Sequence, residues 1–250
     1  MRTLSVLVAA CALAPACCGG GDDDTLTVSA ASSLKHALTD YGGRFEAARA
    51  RFSFAGSDEL AAQIRKGAKP DVFASANTKL PDELYDEGLV EKPVTFAGNR
   101  LVLAVPAASD ARITSLRDVE RAGTTLAIGS ESVPVGAYTR AVLSKLPESE
   151  SSAILKNVRS EEPDVAGIVG KLTQGAVDAG FVYRSDMRAT GGKLKPIELP
   201  DSLQPTVAYG VAVVKGAKHE DAAQAFVDGL LGGDGKQALG DAGFEPPPAQ

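Results

Sequence analysis

From residue 26 onward, short apolar runs alternate with stretches in which apolar residues recur every three or four positions. Repeated alternation of this kind predicts an α/β fold with mainly parallel sheets. The first run, Leu26 to Ala30, leads through Ala31-Ser32-Ser33 into a helix with Leu34, Ala37, Leu38, Tyr41 and Phe45 on one face. Arg51 to Ala55 predicts a strand, Gly56-Ser57 a turn, and Asp58 to Lys66 a helix that buries Leu60, Ala61 and Ile64 and stops at Gly67. Asp58 and Glu59 suit the start of that helix, where the dipole is positive. Asp71 to Ala76 predicts the next strand, Pro81 to Glu87 a helix ended by Gly88, and Arg100 to Val105 a strongly β run.

The pattern resumes with strands at Thr125 to Ile128, around Leu155 to Val158 and at Ala179 to Tyr183, and with helices at Gly136 to Leu146 and Val165 to Gln174. Past Pro200 and Pro205, the run Val207 to Val214 leads the chain back, and Glu220 to Leu231 and Lys236 to Ala242 are helical. Two crossings predict two lobes joined by a hinge: residues 25–99 with 205–250 as lobe I, and residues 100–204 as lobe II. Ligands of such sheets sit at the carboxyl ends of the strands.

Composition agrees with this picture and narrows the chemistry. The 250 residues are 44% hydrophobic and 23% charged, enough to bury one large core or two smaller ones. The three cysteines, Cys11, Cys17 and Cys18, all precede residue 19, so the body folds without disulfides or thiolate ligands. His36 and His219 alone do not suggest a metal site, and no direct metal-ion ligands are expected. The first 24 residues read as an export leader: Arg2, a 13-residue apolar run from Leu4 to Ala16 that is too short to span a bilayer, and Ala14-Pro15-Ala16-Cys17, which resembles a lipoprotein cleavage site. Lipidation at Cys17 would leave a flexible leash from Cys18 to Asp24, although Val8-Ala9-Ala10-Cys11 offers a competing site. Arg2 and three aspartates are the charged side chains of that segment, so its removal takes the net charge from −6 to −4. No basic block suggests nucleic acid, and an acidic protein binds an anion only where the site itself presents hydrogen-bond donors.

Helix N-termini supply such donors, because their first N–H groups lack intrahelical acceptors and sit at the positive end of the dipole. Four candidate starts occur, two per predicted lobe: Ser32-Ser33, Gly56-Ser57, Pro134-Val135-Gly136 and Pro163-Asp164-Val165. Each alone is ordinary, since serine caps helices everywhere and proline is common at a first helical position. Their shared placement is what points to an anion.

These residues fall in a longer series: Val28-Ser29-Ala30-Ala31-Ser32-Ser33-Leu34, Ser53-Phe54-Ala55-Gly56-Ser57, Asp71-Val72-Phe73-Ala74-Ser75-Ala76, Gly129 to Tyr138, and Gly180-Phe181-Val182-Tyr183. In this order, from Leu26 to Phe244, the chain resembles the bacterial periplasmic molybdate-binding proteins, the substrate-binding subunits of molybdate ABC transporters. The resemblance implies a two-lobed, periplasmic-binding-protein-like α/β fold with a hinged cleft between mostly parallel-sheet lobes. It implies molybdate or tungstate as bound ligand, with no cofactor. It also implies hydroxyl donors at Ser33, Ser57 and Tyr183 and backbone N–H donors at Val135 and Val165, with Ser32 replacing Ser33 if the register slips by one. The implied partners are a membrane permease and its ATPase, with a monomeric, lipid-anchored binding protein on the outer face of the cytoplasmic membrane or in the periplasm.

A donor-only site fits molybdate, tungstate and sulfate, which carry no proton near neutral pH. Phosphate does carry one, and would call for an acceptor, for which Asp58 and Asp164 are the candidates. Sulfate or phosphate therefore remains the alternative ligand. Arg184, next to Tyr183, would loosen selectivity if it faced the cleft, but strand alternation points it away. A hydrolase reading rests on Ser32-Ser33-Leu34-Lys35, an S-x-x-K pattern; its usual companions are absent, since Ser185-Asp186-Met187 is the nearest approach to S-D-N and no Lys-Thr-Gly occurs.

Overall fold

The computed structural model describes residues 25–109 and 112–249. The predicted leader, Cys17 and the leash lie outside the described residues. Ten strands are described, β1 (Thr25–Ala31), β2 (Arg49–Ala55), β3 (Val72–Ser75), β4 (Val94–Asn99), β5 (Leu101–Pro106), β6 (Leu126–Gly129), β7 (Val158–Glu162), β8 (Ala179–Tyr183), β9 (Leu194–Glu198) and β10 (Val207–Val213). They form two five-stranded sheets of order β2-β1-β3-β10-β4 and β7-β6-β8-β5-β9. The chain passes from the first sheet to the second at Arg100, between β4 and β5, and returns between β9 and β10.

Each sheet is mixed. β1 runs parallel to β2 and β3, and β6 parallel to β7 and β8. β10 is antiparallel to β3 and β4, and β5 antiparallel to β8 and β9. Parallel pairing is thus confined to strands joined by crossover helices. Four of the five strands in each sheet still point the same way, as expected of mostly parallel lobes; only β10 in the first sheet and β5 in the second, the strands by which the chain enters each sheet from across the hinge, run opposite and pair antiparallel.

The helices cover the sheets as amphipathic layers. In the first, α1 (Lys35–Arg44), α8 (Glu220–Leu231) and α9 (Gly233–Asp241) pack together, with Tyr41, Phe45 and Phe226 in mutual edge or tilted ring contact. On the other side, α2 (Ser57–Arg65) and α3 (Lys79–Asp86) bury Leu60, Ile64, Leu80 and Leu84 against Phe73 of β3. In the second lobe, α4 (Pro134–Leu143) and α6 (Val165–Thr173) pack on the parallel strands, and α5 (Glu148–Lys156) and α7 (Arg184–Ala189) complete it.

Four elements differ from expectation. The strand placed around Leu155 is the end of α5, entered after Pro147 with Glu148 and Glu150 in its first turn, and the strand begins only at Val158. β4 and β9 were unpredicted: β9 is an edge strand, Leu-Lys-Pro-Ile-Glu, in which charge and proline mask the alternation. Ser57 is the first residue of α2 and not part of the preceding turn.

Candidate functional site

Every parallel strand delivers its carboxyl end to the interface between the sheets. β1 ends at Ala31 and runs into the 3-10 turn Ser32–Leu34; β2 ends at Ala55, one residue before Gly56 opens α2; β3 is followed by Ala76. From the other side come Val133 and Pro134 at the start of α4, Asp164 and Val165 at the start of α6, and Tyr183 at the end of β8. Together they line a small cavity with about 20 Å³ available to the centre of a water molecule. Ser33, Ser57, Val135, Val165 and Tyr183 are all on its wall, and all are buried. Ser32 lines it too, so the two serines of the turn share the cavity.

Two of the hydroxyls, those of Ser57 and Tyr183, have a proton that no bond within the protein takes up. Ser57 Oγ accepts a hydrogen bond from the Ala76 N–H at 3.1 Å, which leaves its own proton for the cavity. Tyr183 is 1% exposed and its hydroxyl, which lines the cavity, has no hydrogen-bond partner. Burial, with smaller contributions from Tyr209, Tyr138 and Asp186, pushes its pKa well above the ordinary tyrosine value, so it stays a proton donor. A buried unpartnered hydroxyl costs about 1–3 kcal/mol, a cost that an acceptor placed in the cavity would remove.

The backbone donors follow from helix entry. Pro134 has no N–H, so the first donor of α4 is Val135. Gly136 lets this turn press onto the end of β6: a Cβ there would lie 1.8 Å from the Ser130 carbonyl oxygen. At α6 the Asp164 carboxylate accepts from the Gly167 N–H at 2.9 Å, capping its own helix, and Val165 is the first residue beyond it. Among the described residues, Asp164 is the one charged residue on the wall, and no lysine, arginine or histidine lines it.

The remaining candidates lie elsewhere. Asp58 is not on the cavity wall, and its Oδ1 is buried without a partner beside Gly56. Arg184 is half exposed, ion-paired with Glu198, and the first residue of α7; helix entry turns it aside, where strand alternation had been expected to do so. Lys35 and His36 are exposed on α1, and with Ser32 and Ser33 they border a larger neighbouring cavity of about 390 Å³. Among the described residues no group of three His, Cys, Asp or Glu side chains gathers as a metal site, and no helix is long and apolar enough to cross a membrane.

Sequence reasoning missed the apolar part of the wall, Ala31, Ala55, Ala76 and Val133. It also missed Tyr209 and Asn99, whose hydrogen bonds reach Ser33 from behind. Tyr209 sits in an apolar strand and Asn99 at a strand end, positions that carry no chemical signal until the sheets are assembled.

Two mixed-sheet lobes with a donor-lined cavity between their strand ends are the architecture of the periplasmic binding proteins. The chain belongs to the family of bacterial extracellular solute-binding proteins, which it matches over residues 26–245. It is 34% identical over 228 residues to the molybdate-binding protein ModA of Mycobacterium tuberculosis H37Rv, covering 89% of this chain and 85% of that protein. It is 29% identical over 253 residues to the putative ABC transporter substrate-binding lipoprotein YvgL of Bacillus subtilis, covering 97% and 94%. In fold it is similar to the periplasmic molybdate-binding protein of Azotobacter vinelandii, with a TM-score of 0.80, 22% identity, and 89% of this chain and all of that one covered.

Proposed function

We propose that the protein captures molybdate or tungstate between its lobes and delivers it to an ABC transporter permease driven by a cytoplasmic ATPase. The observation that carries this reading is the Tyr183 hydroxyl, buried, protonated and without a hydrogen-bond partner, on a cavity wall whose other polar groups are serine hydroxyls, helix-start amides and the Asp164 carboxylate that caps α6. Apart from that carboxylate the wall presents donors, which suits an oxyanion with no proton. The absence of a cationic side chain on the wall means that donors alone balance the charge, in the manner of helix-terminus anion sites.

Asp164 is the acceptor that a protonated phosphate would need; its Oδ1 is engaged in capping α6, so only Oδ2 could serve a phosphate in that way. Sulfate, smaller and equally unprotonated, must be excluded by size, which the wall of alanines and valines sets. The relatives named for molybdate binding, at 34% identity across most of the chain, support molybdate over sulfate. The protein is then exported, held at the outer face of the cytoplasmic membrane through lipid on Cys17, and monomeric; the lipoprotein name of the Bacillus relative agrees with the anchor. As a binding protein it needs no catalytic residue and no cofactor.

Competition calorimetry on the mature protein with molybdate, tungstate, sulfate and phosphate tests the reading. Tight binding of the first two and weak binding of the others is expected; a clear preference for sulfate or phosphate would overturn the ligand while leaving the fold untouched.

A further inference from the structure

Behind Ser33 runs a chain of buried hydrogen bonds that ends at the crossing between the lobes. Ser33 Oγ lies 3.0 Å from the Tyr209 hydroxyl. Asn99 Nδ2 lies 3.4 Å from that hydroxyl and 2.8 Å from Ser185 Oγ, and Asn99 Oδ1 accepts from the Arg100 N–H at 2.9 Å. All three side chains of the chain, Asn99, Tyr209 and Ser33, are buried.

The direction of this chain follows from donor and acceptor counting. The Arg100 N–H can only donate, so the atom of Asn99 facing it is the carbonyl oxygen, and the amide nitrogen therefore faces Tyr209 and Ser185. That nitrogen can only donate. Tyr209 thus accepts from Asn99, and its own proton, buried and in need of an acceptor, goes to Ser33 Oγ. Ser33 then has its proton left over, and the cavity is where it points.

We propose that Asn99 is a positioning residue that polarises the Asn99–Tyr209–Ser33 chain, so that Ser33 meets the bound anion as a donor and discriminates against protonated oxyanions. This rests on the oxyanion reading of the cavity. The device lies at the hinge: Asn99 is the last residue of β4, while Ser185, which it also holds, belongs to α7 of the second lobe.

Asn99→Asp reverses the chain with little change of shape. The new carboxylate accepts from Tyr209, Tyr209 accepts from Ser33, and Ser33 loses its free proton. Molybdate calorimetry should show a loss of about tenfold or more from this reversal. The added charge also repels the anion, so the reversal is isolated by a double-mutant cycle: Asn99→Asp should cost about tenfold less in a Ser33→Ala background than in the wild type. Adding Tyr209→Phe to Asn99→Asp removes the acceptor that captured the Ser33 proton, and affinity should recover severalfold. Additive losses in the cycle, or no recovery with Tyr209→Phe, would overturn the proposal.

Should Asn99→Asp fail to fold by circular dichroism, Tyr209→Phe alone decides the matter. Ser33 is then free to accept, and the affinity for phosphate relative to molybdate should rise severalfold; an unchanged ratio refutes the polarised chain. A wild type that prefers sulfate would remove molybdate as ligand without touching this test, since the same cycle runs with sulfate. A wild type that binds none of the four anions would remove both.

Discussion

Tyr183 separates the two quantities that a binding-site residue usually confounds, affinity and stability. Its hydroxyl has no partner in the folded chain, so removing it relieves an unsatisfied buried group while deleting a donor to the anion. A hydrogen bond to a charged group contributes roughly 1.5–3 kcal/mol, so Tyr183→Phe should weaken molybdate binding by about tenfold to more than a hundredfold. The thermal midpoint of the ligand-free protein should stay level or rise. Ser57 differs, because its oxygen accepts from the Ala76 N–H; Ser57→Ala should lose comparable affinity and some stability as well. Calorimetry paired with thermal unfolding distinguishes the two, and a lowered midpoint for Tyr183→Phe would show that the hydroxyl is held by the fold and not kept for a ligand.

At the scale of elements, the site is made by helix entries meeting across the cleft, and at Gly56 the backbones of the two lobes pass close to each other. It precedes α2 with φ −62° and ψ 138°, a conformation open to any residue. A Cβ added there would stand 2.5 Å from the Pro163 carbonyl oxygen of the opposite lobe. Glycine is required by that approach and not by its own backbone. Gly56→Ala should therefore hold the lobes apart and lower ligand affinity by about tenfold or more, on the order of the energy of one charged hydrogen bond. Stability should be unchanged, or improved by ~0.4–1 kcal/mol through the less flexible unfolded chain. Unaltered affinity in calorimetry would mean that the contact is incidental to binding.

The whole molecule carries a pH dependence set by Asp186, buried at the start of α7 and accepting from the Tyr183 N–H at 2.9 Å. Burial raises its pKa to about 7; the Tyr183 hydrogen bond opposes this and repulsion from Asp164 adds to it. The folded state then holds a proton that the unfolded chain has released, so this group's contribution to stability falls as pH rises from about 4 towards 7. Asp186→Asn keeps an acceptor for the Tyr183 N–H and removes the titration. It should raise stability by about 1–2 kcal/mol at pH 8 and leave it nearly unchanged near pH 4, as read from denaturant unfolding at the two pH values. An equal gain at both would assign the effect to packing. Asp71 works in the opposite sense: burial would raise its pKa, but hydrogen bonds from Thr27 and His219 outweigh that and lower it. Its stabilisation is present above the ordinary carboxylate range and is lost on further acidification. Arg100 and Asp201, from the two crossing segments, pair at 2.7 Å, so the strands of the hinge are tied to each other at the surface.

What was legible in the chain was whatever repeats locally. Hydrophobic periodicity marked β1, β2, β3, β5, β6, β8 and β10 and the helices α1, α2, α3, α4, α6, α8 and α9, but not α5 or α7, and Ser33, Ser57, Val135, Val165 and Tyr183 stand where a strand gives way to a helix or helical turn. β9 was not legible because an edge strand needs only one partner and tolerates charge and proline, and β4, Val-Thr-Phe-Ala-Gly-Asn, because it ends in Gly-Asn, a pair that reads as a turn. The antiparallel pairings of each sheet, the close pass of Gly56 beneath Pro163, and the chain from Asn99 through Tyr209 to Ser33 depend on residues separated by 76 to 176 positions, Ala104 from Gly180 and Ser33 from Tyr209. Local pattern marked the helix starts whose groups could donate, and the family resemblance alone added Tyr183 to them. Only the tertiary structure decided which way their protons point, because a hydroxyl's direction is set by whichever neighbour occupies its lone pairs, and those neighbours arrive from the far end of the chain.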